Sequence, residues 1–138
     1  MDDQPARPAR STDLPQLMAL TQGLYYLVTG IWPLVSIGTF QKVTGPKVDL
    51  WLVKTAGVLI TAIGLVLTRA GLREHVPDEV PLLAVSSAVG LTGIDVVYTA
   101  KGRISPIYLL DALAELLLVA GWAVAWPARR DRDRPTEG

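Results

Sequence analysis

Residues Ile104–Trp126 read ISPIYLLDALAELLLVAGWAVAW. The run is long and apolar enough to cross a bilayer as one helix, yet it carries Asp111 and Glu115. A spacing of four residues puts both carboxylates on one helical face. A carboxylate turned toward lipid is costly, so that face must look at protein, water or a ligand. The expectation is an all-α, membrane-embedded antiparallel four-helix bundle, running up-down-up-down, with three other hydrophobic helices set around the acidic face.

The distribution of charge supports this. No charged residue occurs from Leu14 to Gln41, from Thr55 to Thr68, from Val80 to Ile94 or from Leu116 to Ala128. A soluble amphipathic helix would show a charged face every three or four residues. Four such runs favour a membrane bundle over a water-soluble helical core. Half of the 138 residues are hydrophobic, 19% are charged and the mean hydropathy is +0.35, high for a soluble domain. The length allows one domain.

Composition also excludes chemistries. The chain has no cysteine, which removes disulfides, thiolate catalysis and cysteine metal sites. The lone histidine, His75, cannot build a histidine-rich metal site, and Asp111-x-x-x-Glu115 lacks the histidines of a Glu-x-x-His di-iron bundle. A formal net charge of zero gives no general attraction to nucleic acid. There is no phosphate loop, dinucleotide fingerprint, nucleophile elbow or heptad repeat, so no cofactor and no metal is expected.

In chain order, residues 1–13 form a polar tail, expected to be disordered. Span one covers about 17–40. It is too long for a signal-peptide core and ends without a small-residue cleavage site, so it is expected to stay uncleaved. Pro33 should kink its second half. Gln22, Tyr25, Thr29, Trp32 and Ser36 recur at steps of three and four on one face, which suits packing between helices. After the Thr44-Gly45-Pro46 turn, span two covers about 50–68, where Gly57, Thr61 and Gly64 would let a neighbour approach closely. Span three covers about 80–100 and span four about 106–126, with Ser105 as cap, Pro106 in the first turn and Pro127 as the stop. The spanning region is thus 14–127, followed by a charged tail, 128–138. No clean Gly-x-x-x-Gly dimer signal is present, so the oligomeric state stays open.

Four spans place both termini on one side, with Arg7, Arg10, Arg69, Arg73, Arg129, Arg130, Arg132 and Arg134. The other side holds Lys42, Lys47, Lys54, Lys101 and Arg103. Positive residues favour the cytoplasm, so a multi-pass protein of the inner membrane with cytoplasmic termini is expected.

The same topology brings the end of span three and the starts of spans two and four to one membrane edge. At ~1.5 Å rise per residue, Lys54, Asp95 and Asp111 lie roughly 6–7 Å inside their helices and Glu115 about 12 Å. These four residues form a candidate charged cluster, with Trp51, Tyr98 and Tyr108 as pocket-lining candidates near the same level. One ammonium against three carboxylates leaves a surplus of negative charge, unfavourable in low dielectric. Either at least one acid, with Glu115 the deepest, keeps its proton, or the site holds a cation or a cationic ligand; the cluster is thus a candidate pocket for a small amphiphile or cation. A competing reading is a Lys54–Asp pair that only fixes helix register. Two others are a membrane enzyme doing acid–base chemistry on a lipid-soluble substrate, with Glu115 as acid and Asp111 or Asp95 as base, and a proton- or cation-coupled carrier subunit.

The stretch LYYLVTGIWPLVSIGTFQKVTGPKVDLWLVKTAG, Leu24–Gly57, resembles a group of small bacterial four-span membrane proteins of unknown activity. The FQKVTGPK turn, Phe40–Lys47, carries most of the likeness. The resemblance implies the four-span topology and no reaction. The architecture is also similar to that of the DoxX-like proteins.

Overall fold

A computed structural model describes the backbone of residues 13–132 and the side chains up to residue 127. The expectations for residues 1–12 and 133–138, including Arg7, Arg10 and Arg134, lie outside the described residues. Those residues form five helices and no strand: α1 (Leu14–Val35), α2 (Ile37–Thr44), α3 (Leu50–Gly71), α4 (Glu79–Ala100) and α5 (Tyr108–Arg132). Three of them, α3, α4 and α5 as far as Pro127, are long and apolar enough to cross a membrane. A fourth crossing exists if α1 and α2 count as one bent segment. Their outward faces carry large exposed hydrophobic side chains such as Val28, Leu59, Leu82 and Leu117, a surface that suits lipid.

The first hydrophobic run departs from expectation. Instead of one span kinked at Pro33, it is two helices at 113°. Pro33 stays buried inside α1, and the break falls at Ser36, whose φ of −144° and ψ of 82° leave the helical region. Pro33 removes one backbone bond just before this point. Side chains then fix the bend. Trp32 Nε1–H donates to Thr39 Oγ1 at 2.9 Å, Thr39 Oγ1 lies 2.8 Å from Ser36 Oγ, and the Trp32 and Phe40 rings meet edge to face at 5.7 Å. The end of the last helix differs too. α5 continues through Pro127 to Arg132, because a proline so near the end forfeits one hydrogen bond without ending the helix.

α1 packs most closely on α3, and glycine makes this possible. Gly23 and Gly30 on α1 face Gly64 and Gly57 on α3, while Gly71 faces Gln16. The two helices therefore run antiparallel, with contacts repeating every seven residues. A Cβ at Gly64 would sit 2.9 Å from both the Gly23 carbonyl oxygen and the Leu27 nitrogen, and one at Gly30 would sit 2.7 Å from the Thr61 nitrogen. Between apolar helices in lipid there is little hydrophobic drive, so close backbone approach supplies the attraction. Gln16 at the start of α1 also holds the α3–α4 loop, donating to the Glu74 carbonyl at 2.8 Å.

α4 and α5 form the second close pair. α1 lies between α3 and α5 and touches both, whereas α3 and α5 hardly meet; α1 and α3 each meet α4 only lightly.

Gly64→Ala and Gly30→Ala should each lower the thermal unfolding midpoint in detergent by the equivalent of about 1–3 kcal/mol, the usual cost of overpacking. Gly90→Ala and Gly93→Ala on α4, where an added Cβ meets nothing within 4 Å, should be neutral or slightly stabilising through helix propensity.

Candidate functional site: a buried tyrosine–carboxyl cluster

The face of α1 turned toward α4 and α5 is the polar one. Gln22, Tyr25, Tyr26 and Thr29 lie at helical spacing, and Gln22 and Tyr26 are wholly buried. Thr29 satisfies itself, donating to the Tyr25 carbonyl at 2.9 Å. The other three reach across to the acidic helices.

Tyr26 O–H donates to Glu115 Oε2 at 2.9 Å, and Tyr25 O–H donates to Asp111 Oδ1. Glu115 is 1% exposed and Asp95 is 5% exposed. The Asp95 carboxyl lies against that of Asp111, while its Oδ2 has no hydrogen-bond partner in the protein. Deeper along α1, Gln22 bridges the other pair of helices. Its Nε2–H donates to the Ala84 carbonyl on α4 at 2.9 Å, and its Oε1 accepts from Trp122 Nε1–H on α5 at 2.8 Å. Polar contacts thus tie α1 to both helices over several turns in an otherwise apolar interior.

Asp95, Asp111 and Glu115 are brought together here. Lys54 does not join them: it is exposed on α3 and forms no ion pair with the acids. The reason is the order of the helices. α1 stands between α3 and α5, so the face across from the acids is lined by tyrosines and not by the lysine at matching depth. None of the three pocket-lining candidates hydrogen-bonds to the acids. Trp51 is exposed, Lys101 Nζ sits 5.6 Å from the Tyr98 ring, and Lys47 Nζ sits 4.8 Å from the half-buried Tyr108 ring. The hydroxyls that do reach the acids, from Tyr25 and Tyr26, had a sequence signal: Gln22, Tyr25 and Tyr26 follow an i, i+3, i+4 spacing inside an uncharged run.

Chemically, the cluster is a set of three carboxyl groups and two phenol donors with no cationic side chain paired to it among the described residues. Two carboxylates do not press together in a low-dielectric interior unless a proton or cation lies between them. Among the described residues no three acidic or histidine side chains are grouped to hold a metal ion. No family model, curated protein or solved structure matches this chain.

Gln22→Leu should cost about 2–4 kcal/mol of stability, because it strands the Trp122 indole N–H and one carbonyl bond in the interior. Combined with Trp122→Phe, the loss should fall short of the sum of the two single changes. A double-mutant cycle on thermal or denaturant unfolding reads that coupling.

Proposed function

We propose that this chain is a four-pass protein of the bacterial inner membrane, with both termini cytoplasmic, whose tyrosine–carboxyl cluster binds a small cation, in the first place a proton. α1 has 22 residues, about 33 Å at 1.5 Å per residue, enough for one pass. α2 then lies beyond the bend at the membrane edge. The excess of arginine on the side of the termini, Arg69 and Arg73 included, supports the orientation.

One observation carries the binding reading: the buried Asp95 and Glu115 and the half-buried Asp111 lie near one another with hydroxyl donors but without a lysine or arginine partner. Full ionisation would place three negative charges in low dielectric, and a proton or a monovalent cation offsets that cost. Tyr25 and Tyr26 orient one oxygen of Asp111 and Glu115, leaving the other side of each carboxyl for the occupant.

A cationic amphiphile is the second reading, favoured by the groove of about 390 Å³ lined by Pro81, Leu82, Val85, Val119, Trp122 and Trp126. Trp122 and Glu115 lie about 10 Å apart along α5, a distance that a medium alkyl chain spans with its ammonium at the acids.

Thermal unfolding in nanodiscs from mildly acid to mildly alkaline pH tests both. A proton held only in the folded cluster stabilises at low pH, and that stability is lost as pH rises. The wild type should therefore lose stability toward alkaline pH. Glu115→Gln should keep its helical circular dichroism and flatten the profile, and Lys54→Met should follow the wild type. A flat wild-type profile, or an unaltered one in Glu115→Gln, would refute the binding reading. Restoration at alkaline pH by a long-chain alkylammonium, but not by sodium, would select the amphiphile.

A further inference from the structure

The three acids of the cluster differ in what supports them. Asp111 accepts a hydrogen bond from the Tyr25 hydroxyl, and Glu115 accepts one from the Tyr26 hydroxyl. Asp95 is 5% exposed, and no N–H or O–H of the described residues donates to its Oδ2. The hydroxyls of Thr68, Thr92 and Thr99 lack a partner in the same way. For a neutral hydroxyl the cost of that state is about one lost hydrogen bond. For a carboxylate it is far larger, because the charge is both buried and bare.

Contact adds a second constraint. The Asp95 carboxyl lies within hydrogen-bonding reach of that of Asp111. Ionised carboxyls accept hydrogen bonds and donate none, so two of them meet in this way only with a proton between them. The donors decide which one carries it. Asp111 already accepts from Tyr25, a bond that strengthens when the acceptor is ionised, whereas Asp95 has nothing to steady a charge. An O–H on Asp95 that donates to Asp111 satisfies both groups. Depth alone singles out Glu115; the pattern of donors singles out Asp95.

We infer that Asp95 holds the exchangeable proton of the cluster and donates it to an ionised Asp111, whose other donor is Tyr25. Asp95 in this role rests on the proton reading of the cluster and names the residue within it. Release breaks the Asp95 O–H bond, leaves the electron pair on the carboxylate and passes the proton to water or hydroxide from solvent. Like charges then face each other. The groups around Asp95 are Asp111 and Glu115 on α5 and Tyr25 on α1, while α3 meets α4 only lightly and its Lys54 is exposed. Glu115→Gln therefore flattens the stability profile by removing one charge that makes an ionised Asp95 costly, yet leaves the proton in place.

Infrared difference spectra of the full chain in nanodiscs, between mildly acid and mildly alkaline pH, locate the proton. Exposed aspartates stay ionised over that range. Wild-type chain grown with aspartate that carries heavy carbon in its side-chain carboxyl should show a carboxylic C=O band moved by the label. Asp95→Asn, whose amide still donates to Asp111, should fold, lose that band and hold its thermal midpoint at alkaline pH. In Glu115→Gln the band should persist. A carboxylic band that ignores the aspartate label, or an aspartate band that survives Asp95→Asn, overturns the assignment and leaves the proton reading of the cluster standing. Absence of any carboxylic band overturns both.

Tyr25→Phe separates Asp95 from Asp111. If Asp111 is ionised before and after release, its bond from Tyr25 is of one kind in both states, and the pH midpoint at which the band disappears should stay in place. If Asp111 held the proton, Tyr25 would favour the released state, and its removal would move the midpoint to higher pH. Such a move overturns Asp95 as the holder.

Discussion

The arrangement of this chain turns on three neighbouring carboxyl groups, Asp95 and Glu115 buried and Asp111 half-buried, with no opposite side-chain charge paired to them among the described residues. Such groups are tolerated only when their oxygens are satisfied and their charge is offset. α1 meets the first demand with two phenol hydroxyls, one for Asp111 and one for Glu115. The second demand falls to whatever enters the cluster. The Gln22 bridge to Ala84 and Trp122 keeps α1 at the right rotation and height for those hydroxyls to reach their acids.

That rotation is possible because the neighbouring face of α1, bordered by Tyr26, is nearly bare. Gly23 and Gly30 bring its backbone against that of α3, so α1 is held on one face by glycine contacts and on the adjacent face by polar ones. One helix thereby serves two kinds of packing. The seven-residue recurrence of the glycines matches the left-handed seam by which straight helices stay in contact over many turns.

Much of this was legible in the sequence, and the rest failed for definable reasons. Uncharged runs marked α3, α4 and α5 to within a few residues at most ends, because hydrophobic length is a local property. The shared face of Asp111 and Glu115 followed from helical spacing alone, as did the close-approach role of Gly57 and Gly64. The place of Lys54 could not be read the same way. Counting residues from a helix end gives depth along an axis, but neighbour order around the other helices depends on which faces pack, and α1 occupies the position between α3 and the acids. The bend at Ser36 was likewise hidden. Pro33 signals a weakened helix, whereas the direction and size of the turn come from Trp32, Thr39 and Phe40 meeting across it. Tyr26 went unread because it sits one residue from Tyr25, about 100° around the helix, and Tyr25 alone had been placed on the polar stripe.

The separation of roles between the helix pairs has a mechanical consequence. The hydroxyls belong to the jaw made by α1 and α3, the carboxyls to the jaw made by α4 and α5, and polar contacts clasp the two together. An ionised carboxyl accepts a stronger hydrogen bond from a phenol than a neutral one does, while like charge among the acids opposes their closeness. A change of charge at these few oxygen atoms is thus felt at the seam between the two helix pairs.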